Sequence, residues 1–321
     1  MPDPVSETVT ASDQAGGGRH RSRELTAWQG VGAELPGGWS IVQASGGTDE
    51  GYVRSDGPDE MTVELRWKRT RRQPSLEVVA EQYLKQVRKA SRKLKVEYEG
   101  ALAGGRRVPR EKPSDLRFEW LADRQGHGRL IWCRECRRTV IAQVSGPRGE
   151  ATRAVAEQIL PRVRDHSDGE SVEWGVYGLE FRVPKGLRLI RQRLMSGFLS
   201  LNFYGPPGRV IVERWGLAEM LLEGGFLAWH DKEYLSELKR FGGETTAVEW
   251  GEHEALVTEG REGGFRRVRA LVKAFLLPGR AERFASIVWH CPDSNRVVGV
   301  RAFGRSPLEL ARSVAETVRC H

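Results

Sequence analysis

The chain repeats itself, and that repetition constrains its fold more than any other feature. Slid along itself by 148 residues, it sets Pro36 and Gly38 on Pro184 and Gly186, Gly57-Pro58 on Gly205-Pro206, and Arg66-Trp67 on Arg214-Trp215 without a gap. Three more residues of offset bring Tyr83-Leu84 onto Tyr234-Leu235 and Gly100 onto Gly251. Near the ends an offset of 158 aligns Cys133 with Cys291, Arg138 with Arg296 and Gly146 with Gly304. A period of about 150 residues is too long for a solenoid or propeller unit, so two whole domains in tandem are expected. The length of 321 residues agrees with two domains.

The expected boundaries are a disordered tail over residues 1–27, a first repeat over 28–168 and a second over 169–321. Between the repeats, Asp165-His166-Ser167-Asp168-Gly169-Glu170 is polar and contains Gly, and reads as a linker. The opening residues hold no apolar run of secretory type, and no stretch of the chain is long and apolar enough for a membrane-spanning helix. Four cysteines are too few to staple two domains. A cytoplasmic protein with reduced thiols and no membrane contact is therefore expected.

Each repeat carries the same order of elements. Pro-Gly punctuation precedes two strand-like runs, the second over 61–67 and 209–215. In the first repeat Leu76, Val79, Tyr83, Val87, Ala90 and Leu94 recur at helical spacing, and the counterpart helix is expected over 229–241. Strands follow over 116–121, 129–133 and 139–144, then over 266–276, 284–291 and 296–303. A last helix closes each unit, and Ser306-Pro307-Leu308-Glu309 has the makings of its start in the second. The order ββαβββα predicts an α+β fold in each repeat, an antiparallel sheet with packed helices.

This order, with the openings Pro36-Gly37-Gly38-Trp39 and Pro184-Lys185-Gly186-Leu187, resembles the PsbP-like superfamily, including the LpqN and DcrB-type domains. The resemblance covers both repeats. It implies a PsbP-like α+β sandwich serving as a binding or assembly-factor module, with no catalytic residues and no cofactor to carry over. The chain departs from the exported members in lacking their leader, so their compartments and partners do not transfer.

The sharpest chemical signal is Trp132-Cys133-Arg134-Glu135-Cys136. In a thioredoxin-like site the first thiol sits at a helix N-terminus, whereas here a strand-like run follows. Two thiols two residues apart on a turn also make half of a tetrahedral zinc site, with Cys133 and Cys136 as the metal ligands. The other half is not evident: His127 lies in the same repeat, His290 and Cys291 in the other, and Ser294 replaces Cys136 in the copy. Packing or polar turn residues remain the competing reading. Arg138 and Arg296, shared by both copies, are expected to tie each hairpin to a carboxylate or carbonyl.

Other catalytic signatures fail. There is no Gly-Lys dipeptide and hence no P-loop, and His253-Glu254-Ala255-Leu256-Val257 lacks the second His of a zinc protease. A non-enzymatic protein is expected. The formal net charge is +8, and a basic stripe concentrates the excess in the first repeat. Arg69, Arg71 and Arg72 lead into a helix bearing Lys85, Arg88, Lys89, Arg92 and Lys93, of which 85, 88/89 and 92/93 share one side. Such a stripe suits an acidic protein partner first and nucleic acid as the alternative. The competing reading is a solvated helix face balanced by Glu77, Glu81, Glu97 and Glu99.

Overall fold

A computed structural model describes residues 23–103, 114–166, 169–195, 197–262 and 282–320. Its first element is a hairpin, β1 (Arg23–Trp28) and β2 (Val31–Pro36). The two-residue turn between them, Gln29-Gly30, has positive φ at both positions (56° and 82°), as a type I′ turn requires. The chain continues through β3 (Ser40–Gly46), β4 (Glu50–Asp56), β5 (Thr62–Arg69) and α1 (Leu76–Lys93). It then runs through β6 (Glu99–Ala103), β7 (Asp115–Leu121), β8 (Gln125–Trp132), β9 (Arg138–Gly146) and α2 (Glu150–Ile159), whose end tightens into a 3₁₀ turn, Leu160–Arg162.

The second half opens on the same hairpin, β10 (Ser171–Val176) and β11 (Leu179–Pro184), around Tyr177-Gly178, again at positive φ (51° and 73°). There follow β12 (Arg188–Met195), β13 (Phe198–Gly205), β14 (Gly208–Gly216) and three short helices, α3 (Ala218–Leu221), α4 (Phe226–Glu233) and α5 (Leu235–Phe241). The half closes with β15 (Glu244–Trp250), β16 (His253–Arg261), β17 (Arg283–Cys291), β18 (Arg296–Gly304) and α6 (Pro307–Ala315).

These strands build three antiparallel sheets. Two have seven strands, in the orders β3-β4-β5-β9-β8-β7-β6 and β12-β13-β14-β18-β17-β16-β15, which are one connection pattern used twice. The third, β11-β10-β1-β2, is assembled from the opening hairpins of both halves. Even the irregularities recur: the β3–β4 ladder skips Val42 and the β12–β13 ladder skips Ile190, 148 residues on, and both side chains are exposed.

A single large core underlies all three sheets. It joins Trp28, Val63, Leu65, Trp67, Val140 and Ile159 of the first half to Trp174, Phe203, Val212, Val300 and Val314 of the second. At its centre Trp28 and Trp174 meet edge to face with ring centroids 5.1 Å apart. Two smaller cores lie on the opposite faces of the seven-stranded sheets. One packs Leu76, Ala80, Tyr83 and Leu84 of α1 on Phe118 and Leu130; the other packs Phe226, Tyr234 and Phe241 on Leu256, Phe284 and Val288.

The α+β expectation is corrected by this architecture. Of the described residues 51 % are strand and 23 % helix, so the fold is mostly β, not a helix-packed PsbP-like sandwich. The extra strands are edges such as β12, exposed or half-buried throughout, where the bulge at Ile190 puts Leu189 and Leu194, both packed on the large core, out of strict alternation. The expected helix over 229–241 is two helices broken at Tyr234 (φ −98°, ψ 14°), and the run over 266–276 lies outside the described residues. The match of Arg66-Trp67 on Arg214-Trp215 is one residue out of register. Thr62 faces Ser145 and Arg209 faces Phe303, which makes Trp67 the counterpart of Arg214; Trp67 lies in the large core, Trp215 on the other face.

Candidate metal centre

Cys133 and Cys136 sit on the turn from β8 to β9. The Cys133 amide donates to the Arg138 carbonyl (3.0 Å), Arg137 takes a left-handed conformation (φ 54°), and the Cys136 amide points at the Cys133 sulfur (3.4 Å). The other side of the site comes from the segment after α2. There Arg164 exchanges both backbone hydrogen bonds with Gly32 of β2 (2.8 and 3.0 Å), which carries Asp165 and His166 up to the turn.

Four ligand atoms, from Cys133, Cys136, Asp165 and His166, lie within 4.8 Å of one another. Cys133 Sγ is 3.4 Å from His166 Nε2. For Zn–S of about 2.3 Å and Zn–N of about 2.0 Å, a tetrahedron has S–N and S–S edges of about 3.5 and 3.8 Å, so the cluster has the scale of a zinc site.

Arg138 fixes the acid. Its Nε lies 2.7 Å from Asp165 Oδ1, and the two side chains are only 4 % and 5 % exposed. The guanidinium also donates to the carbonyls of Gln29 (3.1 Å), Thr48 (3.4 Å) and Asp165. Both carboxylate oxygens of Asp165 are buried. Burial, and after it the Asp165 carboxylate, pushes the Cys136 thiol up to about 12. That is the opposite of an activated redox thiolate, and the turn supplies no helix N-terminus. Charge balances either way: Arg138 neutralises Asp165 when both thiols are protonated, and a divalent cation with two thiolates, one carboxylate and Arg138 also sums to zero.

A second cluster lies in the other half, where His253, Cys291 and Cys320 bring ligand atoms within 4.8 Å of one another. Cys320 Sγ is 3.4 Å from His253 Nε2. Cys291 is fully buried and Cys320 is 9 % exposed. Hydrogen bonding to Cys291, and then burial, pushes the Cys320 thiol up.

The sequence candidates divide. Cys133 and Cys136 stand in the first cluster, and the partners missing from the sequence reading are Asp165 and His166, two residues taken there for linker. His127 instead lies 3.6 Å from Glu119. A signal was present: Arg164-Asp165-His166 ends the first repeat as Arg319-Cys320-His321 ends the second. On α1, Lys85, Arg88, Lys89, Arg92 and Lys93 are exposed, as are Arg71 and Arg72 before it, and none of these seven takes part in an ion pair among the described residues. Arg69 is held by Asp49 at 3.1 Å. Arg296 donates to the Gly178 carbonyl (3.4 Å), as Arg138 does to Gln29. Among the described residues no helix is long and apolar enough to cross a membrane. The chain matches no protein-family model and no curated protein.

Proposed function

We propose that the protein is a non-catalytic, metal-stabilised binding protein. A zinc ion held by Cys133, Cys136, Asp165 and His166 ties the β8–β9 turn to the segment that leads into the second half. The observation that carries this reading is the convergence of four ligand atoms within 4.8 Å from two segments about thirty residues apart. Four protein donors fill a tetrahedron and leave no open position for substrate, which favours a structural over a catalytic ion. Metal analysis of the reduced, zinc-reconstituted protein tests it: Cys133→Ser and His166→Ala each bind one equivalent less than wild type. Unchanged zinc in both variants refutes the centre.

The binding surface in this reading is the exposed basic side of α1, offered to an acidic protein partner. The support is that among the described residues its cations have no carboxylates paired with them, so a partner gains their attraction. Replacing Arg88, Lys89 and Arg92 with Gln leaves folding intact and weakens capture of acidic partners from extract. Capture lost on nuclease treatment would favour nucleic acid instead, and capture unchanged by the substitutions would remove the surface from the account.

A further inference from the structure

The two halves carry related clusters, and their correspondence can be worked out residue by residue. Gly32 of β2 bridges to Arg164, and Glu180 of β11 bridges to Arg319. Gly32 and Glu180 are 148 residues apart, the repeat offset, so Arg319 occupies the place of Arg164 and Cys320 the place of Asp165. On the turn, Cys291 occupies the place of Cys133 and Ser294 that of Cys136. The second half has thus exchanged a carboxylate for a thiol on its C-terminal segment and a thiol for a hydroxyl on its turn. It has also gained an imidazole, His253, from the start of β16, beside Cys320. Two thiols and an imidazole converge again, but from different positions.

The donors suit a thiophilic cation. Cys291 and Cys320 lie in the large core, and a divalent ion bound by two thiolates and a neutral imidazole is uncharged as a unit. No buried acid is required, and the second half has none in the place of Asp165.

We propose that His253, Cys291 and Cys320 form a second zinc centre with three protein donors, independent of the first, which clips the C-terminal segment to β16 and β17. Binding displaces one proton from each thiol, so one Zn²⁺ enters and two protons leave. The fourth position is left to a small oxygen ligand.

The test uses the full-length, reduced protein reconstituted with Zn²⁺ and desalted. Wild type is expected to retain two equivalents; Cys320→Ser and His253→Gln retain one, and so does Cys133→Ser, through loss of the other ion. The Cys133→Ser/Cys320→Ser double variant retains none. Cobalt(II) gives an independent readout, because each single cysteine variant loses part of the thiolate-to-cobalt charge-transfer absorption. Where a variant fails to fold, wild type still decides: its cobalt(II) charge-transfer absorption corresponds to four thiolates if both centres bind and to two if only the first does. Zinc content undiminished from wild type in both Cys320→Ser and His253→Gln overturns the second centre. Loss of zinc in Cys320→Ser but not in Cys133→Ser would retain it and sink the first.

Discussion

Asp165→Asn is the substitution that weighs the buried pair at the first cluster. The Asp165 carboxylate lies 2.7 Å from Arg138 with both side chains at least 95 % buried. Asparagine keeps the shape but leaves a buried guanidinium with only neutral carbonyl acceptors. Removing one partner of a buried pair costs about 3–5 kcal/mol, because the remaining charge has lost both water and its counter-ion. Working in a chelator isolates this term, since bound zinc would add the loss of a ligand. For a chain of this size the midpoint of thermal unfolding should fall on the order of 10 °C. The control is Glu34→Gln, which breaks the Glu34–Arg164 pair; it is as short, 2.8 Å, but 41 % and 47 % exposed. An exposed pair is worth about 0–1 kcal/mol. Urea unfolding followed by tryptophan fluorescence compares the two. If Asp165→Asn costs no more than Glu34→Gln, the pair is not desolvated in solution and the electrostatic description of the site is wrong.

Other consequences follow from the packing. Gly128 faces Phe118 across the β7–β8 ladder, and a Cβ there would stand 2.0 Å from the ring. Gly128→Ala should cost about 1–3 kcal/mol of overpacking in urea unfolding, and a neutral result would mean the ring moves aside freely. His230 is fully buried with Nε2 3.2 Å from Thr258 Oγ1, and burial lowers its pKa, against a smaller opposing effect of Asp231. The folded state therefore binds this proton less tightly than the unfolded chain. Its contribution is complete above the unfolded value of about 6.5 and is lost as the pH falls below it. The stability of wild type should drop more steeply from pH 7 to pH 5 than that of His230→Gln, and parallel curves would contradict this.

What the sequence disclosed, and what it hid, follows from the range of the interactions involved. The α1 stripe was legible over its first three turns, where Leu76, Val79, Tyr83 and Val87 pack on one sheet face at helical spacing, whereas Ala90 and Leu94 beyond them are exposed. Strands such as β9 and β17 were legible as dense apolar runs. The edges β12 and β15 carry only a few half-buried apolar residues, Leu189 and Leu194 in one and Val248 and Trp250 in the other, too sparse a pattern to mark a strand locally, and counting too few strands is what led to the α+β class. The sheet shared by β1 and β10 depends on pairing Ala27 with Gly175, a contact between the halves that no local pattern encodes. The metal cluster was half legible. A Cys-x-x-Cys turn announces itself, whereas Asp165 and His166 look like linker until the bridge from Arg164 to Gly32 carries them to the thiols. The gap-free Trp67–Trp215 match misled because one residue inserted before a strand exchanges its two faces.

X-ray absorption at the zinc edge of the Cys320→Ser variant examines the first centre in isolation. The donors predict two sulfurs at about 2.3 Å and two nitrogen or oxygen atoms at about 2.0–2.1 Å. A shell of oxygen and nitrogen alone, or one of sulfur alone, would contradict it.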